Sequence, residues 1–219
     1  MTRLPKPRAI LLDWDNTLVD TWPCIGKAAN ITLEAMGRTP WSEAEIRERV
    51  AGSLRDTFPK IYGDQWEEAR KIYYKAFEQV HLEMLQALPG AADLLSTAHS
   101  RGVYLAIVSN KTGNYLRLEV NHMGWAPLFS KLVGAQDAPR DKPALDPVHM
   151  SLTGSGIDLG PDVWFVGDAG IDVECGLAAG CSTVLVQANT YDGAHTPHLH
   201  VRDCAAVIEI FETSWTGEI

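Results

Sequence analysis

Residues 9–18, AILLDWDNTL, place two carboxylates, Asp13 and Asp15, one residue apart behind the apolar run Ile10, Leu11, Leu12. Burying a charge without a partner is costly, and like charges a few ångströms apart repel. That spacing asks for a cation between the two acids, or for a proton on one of them. Groups of the same kind recur down the chain. Ser109 and Asn110 close the apolar run VYLAIVSN, Asp168 closes DVWFVGD, Asp172 follows four residues later, and Lys142 lies in RDKPALDP. Brought together, these would form a site of four acids, one hydroxyl and one ammonium group. Carboxylates in that number suit a hard cation. Magnesium takes one or two of them, keeps several waters and shares phosphate oxygens.

Convergence depends on the elements that carry these residues. Residues 8–12, 103–110 and 162–168 read as buried strands, with shorter ones at KLVGAQD and STVLVQ. Helical patterns separate them: one from Pro89-Gly90 to about Arg101, one over 113–123, one over 146–155, DVECGLAAG, and a last one around 204–212. Strands alternating with helices predict an α/β, Rossmann-like core, a parallel sheet with helices on both faces. Ligands bind such sheets outside the carboxyl ends of the strands. Asp13, Asp15, Ser109, Asn110 and Asp168 all fall just past such ends. Between residues 21 and 85 the pattern is helical only, which predicts an inserted all-helical domain within a core of 1–20 and 86–219. CIGKAANITLEAMG stops at Gly37. WSEAEIRERVAG opens with Ser42 as N-cap and Glu45 three residues on, a capping box. DQWEEARKIYYKAFEQVHLEML carries the three-to-four apolar rhythm of a long amphipathic helix.

DWDNT at 13–17, VSN at 108–110, KP at 142–143 and GDAGID at 167–172 resemble, in order and placement, the four motifs of the haloacid dehalogenase superfamily. The helical insertion after the first motif resembles its phosphoglycolate phosphatase and β-phosphoglucomutase-like branch, and the resemblance covers nearly the whole chain. It implies a magnesium-dependent phosphatase acting on a small phosphorylated metabolite, with phosphoglycolate or a sugar phosphate as the substrate class. Asp13 would be the nucleophile that forms an aspartyl-phosphate, and Asp15 the general acid and base. Magnesium would be held by the Asp13 and Asp168 carboxylates and the Asp15 carbonyl, with Asp172 alongside. Ser109 and Lys142 would stabilise the phosphoryl group. Thr17, Asn110 and, in the insertion loop AGSLRDTF, Arg55 would bind substrate. The insertion would act as a cap hinged near Trp22-Pro23 and Leu88-Pro89. An acid at position 15 favours phosphoryl transfer over dehalogenation, whose enzymes lack it. A phosphomutase is the competing enzymatic reading. A non-catalytic module on the same fold is the other, and the intact acids, Ser109 and Lys142 argue against it. The sequence departs from the family at Asn16, where Gly is usual. Asn tolerates a left-handed backbone, so the turn is expected to survive. Trp14, bulkier than the usual Leu or Phe, is expected to pack away from the site, and Lys111 to be a surface charge.

The remaining features narrow the field. The chain has 219 residues, is 46% hydrophobic and carries a formal charge of -9. With no basic stripe it makes a poor partner for nucleic acid or an anionic membrane. Cys24, Cys175, Cys181 and Cys204 form no CxxC pair and read as reduced thiols of a cytoplasmic protein. The N-terminal stretch reads as neither signal peptide nor membrane span. Such a domain is expected as a monomer or homodimer. His195, His198 and His200 fall in YDGAHTPHLH, which contains Pro197 and lacks acids at ligand spacing. That run is expected to be a surface loop beyond the last core strand rather than a metal site.

Overall fold

The computed structural model describes residues 3–50, 54–187 and 190–216. The chain divides into two compact units, Met1–Val19 with Ala87–Ile219, and Asp20–Gln86.

The first unit is built on a six-stranded sheet. In chain order its elements are β1 (Ala9–Leu12), α5 (Ala91–Ser100), β4 (Tyr104–Thr112), α6 (Gly113–His122), β5 (Lys131–Ala135), α7 (Asp146–Leu152), β6 (Val163–Gly167), α8 (Gly170–Ala178), β7 (Ser182–Val186), β8 (Leu199–Val201) and α9 (Cys204–Thr216), while the two-residue strands β2 (Val19–Asp20) and β3 (Gln86–Ala87) straddle the bounds of the two units. Helices α1–α4 belong to the other unit. The sheet order is β5-β4-β1-β6-β7-β8, and β2 pairs separately with β3. Every pairing in the large sheet is parallel. β1 lies at the centre, with Leu11 opposite Ala106 on one side and Phe165 on the other.

That position explains the unbroken apolar run. A strand with neighbours on both edges and helices on both faces meets no water, so all four β1 residues are buried. Ala9, Leu11, Ala106, Val108, Val163 and Phe165 share a core with Val148 and Leu152 of α7, Cys175 of α8 and Ala179 just past its end. Trp164 points to the other face, where its ring meets Phe211 of α9 edge-on at 6.3 Å. The core is therefore an α/β, Rossmann-like parallel sheet sandwiched between helices.

Two expectations need correction. The sheet does not end at β7: β8 adds a sixth strand that includes His200. It is only three residues long and half-buried, so no apolar run announces it. His198 secures the approach, its Nδ1 accepting the Thr183 N–H at 3.0 Å while its own N–H donates to Thr183 Oγ1 at 3.0 Å.

The helical unit comprises α1 (Trp22–Ala35), α2 (Glu43–Arg49), α3 (Leu54–Tyr62) and α4 (Trp66–Met84). Here the expected loop at 51–58 is the second correction, because α3 begins at Leu54; residues 51–53 lie outside the described residues. Pro59 inside α3 removes a backbone donor and reads as a breaker, which hides this helix in the sequence. The Ser42–Glu45 capping box forms in both directions, with the Ser42 N–H donating to Glu45 Oε2 at 2.9 Å and the Glu45 N–H to Ser42 Oγ at 3.4 Å.

Candidate active site

The sheet's carboxyl edge collects the polar groups. Beyond β1 the ladder extends one more bond: the Asp13 N–H donates to Val166 O at 2.9 Å, fixing where its side chain begins. The chain then turns sharply. Asn16 adopts φ 58°, and its N–H donates to Val19 O at 2.7 Å. Asn thus supplies the left-handed backbone for which Gly is usual.

Lys142 is the centre of the charge arrangement. Its Nζ lies 2.8 Å from Asp13 Oδ1 and 2.7 Å from Asp172 Oδ1, and the residue is only 5% exposed. Asn110 holds the lysine's backbone: its amide donates to Lys142 O at 3.0 Å and its carbonyl accepts the Lys142 N–H at 2.9 Å. Asp172 reaches back from α8, its Oδ2 accepting the Ala169 N–H at 3.0 Å. Only glycine leaves room for this, because a Cβ on Gly167 would sit 2.3 Å from Asp172 Cγ. Thr17 Oγ1 donates to Asp168 Oδ1 at 3.2 Å. Asp13, Asp168 and Asp172 each present one oxygen within 4.8 Å of the others, the one such acidic group among the described residues.

Asp15 faces a different partner. Its Oδ1 lies 2.8 Å from Lys111 Nζ, which also reaches Glu119 Oε2 at 3.0 Å. The indole N–H of Trp14 donates to that same Oε2 at 2.7 Å. Ser109 is buried beside them, its Oγ accepting the Lys111 N–H at 3.2 Å.

Charge is unevenly balanced. Burial pushes the Asp168 carboxyl well above the usual range, and Asp13 and Asp172 push the same way. Burial likewise raises Asp172 to about 6, against the pull of Lys142. Burial works against the Lys142 ammonium, yet Asp13 and Asp172 outweigh it and hold its pKa above the ordinary value. Asp15 is raised by burial first, with Lys111 opposing and Glu119 and Asp13 adding.

Asp13 and Asp168, which follow strand ends, come together with Lys142 and Asp172. Several expectations change. Asp15 is near by, but its carboxylate stands outside the acidic triad. Both polar ends of the Asn110 side chain are occupied by Lys142, so in this state it positions that lysine instead of offering itself to a substrate. Thr17, fully buried, likewise serves Asp168. The Lys111 side chain is only 7% exposed, not a surface charge. Trp14 is buried as expected of a residue pointing away from the triad, but it is tied to Asp15 through Glu119 and Lys111. Arg55 falls in α3, and its side chain lies outside the described residues. Glu119 went unread in the sequence. Its signal was an acid on an apolar helical stripe, between Leu116 and Val120, both fully buried. The four cysteines are free and buried, and burial raises the Cys175 thiol to about 11. No helix among the described residues is long and apolar enough to cross a membrane.

Comparison with known proteins agrees with this geometry. Residues 10–186 match the haloacid dehalogenase-like hydrolase family. Phosphoglycolate phosphatase 1 of Pseudomonas aeruginosa is 28% identical over 205 residues, covering 89% of this chain and 72% of that protein. The same organism's N-acetylmuramic acid 6-phosphate phosphatase is 26% identical over 185 residues, covering 82% of this chain and 81% of that protein. A haloacid dehalogenase-like family protein of Streptococcus pneumoniae superposes with a TM-score of 0.82 at 21% identity, over 94% of this chain and 99% of that one.

Proposed function

We propose, for a chain that belongs to the haloacid dehalogenase-like hydrolase family, that it hydrolyses the phosphate monoester of a small metabolite by way of an aspartyl-phosphate on Asp13. The observation that carries this reading is the Asp13–Lys142–Asp172 contact beside Asp168, with Asp15 held apart on its own lysine. Two carboxylates in separate surroundings support a division of roles, one for attack and the other for proton transfer.

The donor set fits a hard divalent cation. Three carboxylates lie together while the one ammonium contacts two of them, Asp13 and Asp172, and burial first, with neighbouring carboxylates adding, raises the pKa of Asp168 and Asp172. The Asp13 and Asp168 carboxylates and the Asp15 backbone carbonyl would hold magnesium, with Asp172 alongside. When bound, the ion would neutralise the repulsion between Asp13 and an anionic phosphate.

The protein's own groups account for the rest. An Asp13 oxygen bonds to phosphorus as the ester P–O bond breaks, and the departing oxygen takes a proton from Asp15. Asp15, now a carboxylate, takes a proton from water. The water oxygen bonds to phosphorus, the Asp13–phosphorus bond breaks, and inorganic phosphate leaves. Ser109 donates a hydrogen bond to a phosphoryl oxygen, and Lys142 offsets the charge that develops there. Two relatives are, by their names, phosphatases of phosphoglycolate and of a sugar phosphate, N-acetylmuramic acid 6-phosphate. Those two classes are the substrates proposed for this chain.

The test is release of inorganic phosphate from phosphoglycolate, hexose phosphates, N-acetylmuramic acid 6-phosphate and nucleoside monophosphates, with magnesium and with a chelator. Release from one or a few esters, dependent on magnesium and absent in Asp13→Asn, is expected. An Asp13→Asn protein that still turns over at the wild-type rate would overturn the nucleophile assignment.

A further inference from the structure

The chain Trp14–Glu119–Lys111–Asp15 is more elaborate than the fold requires. Its inner members are closed to water: Trp14 and Glu119 are both 0% exposed. Its outer end is open, with the Asp15 side chain 28% exposed. Glu119 Oε2 alone receives both the Trp14 indole N–H at 2.7 Å and the Lys111 ammonium at 3.0 Å, and the same ammonium reaches Asp15 Oδ1 at 2.8 Å. A buried carboxylate paired with one lysine would already satisfy its own charge. Nothing in that pairing requires the lysine to extend to a second acid at the sheet's carboxyl edge. Burying ions is expensive even when they are paired, and well-packed apolar residues often do as well for stability.

We propose that Glu119 and Lys111 are positioning residues for the proton transfer made by Asp15. The inference rests on the phosphatase reading above and deepens it. An unrestrained carboxyl group turns about its final torsion and presents either oxygen in many directions. Here Oδ1 is taken up by the Lys111 ammonium. A transferable proton therefore resides on Oδ2, and that oxygen's direction is set by the clamp. Lys111 is itself held from behind by an acid that cannot move, because Trp14 fixes Glu119 from within β1's own continuation. The arrangement aligns Oδ2 with the leaving oxygen before substrate arrives. General acid catalysis contributes about 10²–10⁴-fold, and a misplacement of about 1 Å can forfeit about 10²-fold.

Leaving groups reveal such a role. A p-nitrophenolate departs without needing a proton, whereas the more basic phenolate needs one. kcat/KM reports the steps through phosphoryl transfer to Asp13, before the hydrolysis that both esters share. The double variant Lys111→Met with Glu119→Gln removes the ammonium together with the fully buried Glu119 charge, so that only Asp15, whose side chain is 28% exposed, loses its ionic partner. It should lower kcat/KM for phenyl phosphate at least about tenfold more than for p-nitrophenyl phosphate. Glu119→Gln alone can keep a carbonyl oxygen at the Oε2 position, accepting from both Trp14 and Lys111. It should stay within about threefold of wild type on both esters. Melting temperatures within a few degrees of wild type would show that both variants remain folded.

Equal losses on the two esters in the folded double variant would overturn the proposal, as would a Glu119→Gln protein impaired as severely as the double variant. A wild-type protein that releases phosphate from neither ester nor from the metabolite panel would instead overturn the phosphatase reading, and this inference with it.

Discussion

Lys142 Nζ stands between Asp13 and Asp172, 2.8 and 2.7 Å from them, and Asn110 holds its backbone from a strand 32 residues earlier. Replacing it by Met leaves two buried carboxylates facing each other. Removing one partner of a buried ionic group costs about 3–5 kcal/mol, so Lys142→Met should melt well below wild type in metal-free buffer. Magnesium should recover part of that loss, because a cation returns to the gap. Turnover should stay low, by about 10²-fold or more, because the phosphoryl charge loses its ammonium. A melting temperature unchanged by the substitution would show that the lysine does not balance these acids. At this scale the sequence was legible where a residue's placement follows from its position just past a strand, as for Asp13 and Asp168, whose carboxylates meet. It was not legible where the role depends on a distant partner. Asn110 shows only a polar side chain until the fold brings Lys142 to it. Lys111 looks solvated until Glu119, eight residues on, proves to be buried.

α8 carries Asp172 into the site, and its seating on the sheet is tight. A Cβ on Gly176 would lie 2.6 Å from Thr183 Cγ2 and 2.8 Å from Phe165 Cβ. Both neighbours are buried and about 1% exposed, so neither can yield. Ala would gain up to about 1 kcal/mol of helix propensity, but overpacking costs about 1–3 kcal/mol. Gly176→Ala should therefore lower the urea midpoint, and by lifting α8 it should also weaken magnesium binding. Gly26 in α1 is the control. Its nearest foreign atoms are Ile46 carbons at 3.9 Å, so Gly26→Ala should stabilise or leave the midpoint unchanged. Matching shifts from the two substitutions would mean that propensity, not packing, dominates at Gly176. The elements themselves were readable where they were long or wholly apolar, as β1, β4, β6 and α4 are. β8 escaped because three half-buried residues carry no period, and α3 because Pro59 outweighs its flanking helix formers in any local reading.

For the molecule as a whole, protons and a metal ion compete for the same acids. The chain carries a formal charge of -9, yet charges beyond about 8–10 Å are largely screened at physiological salt. The triad's own surroundings therefore decide what it binds. Asp172 titrates at about 6, raised by burial ahead of the opposing Lys142, and Asp168 is raised as well. A raised carboxyl holds its proton to higher pH, and a metal ion must displace that proton to use the charge. Magnesium affinity should therefore fall as the pH drops through about 6, where Asp172 takes up a proton. Below that point one displaced proton gives about tenfold per pH unit, and a steeper fall would mean that Asp168 gives one up too. Calorimetric magnesium titrations of the resting protein from pH 5 to 8 measure this directly. Asp172→Asn should flatten the profile near pH 6 while lowering the affinity. A wild-type affinity independent of pH across that range would show that the ion binds without displacing these protons. The acidic triad would then not be its site.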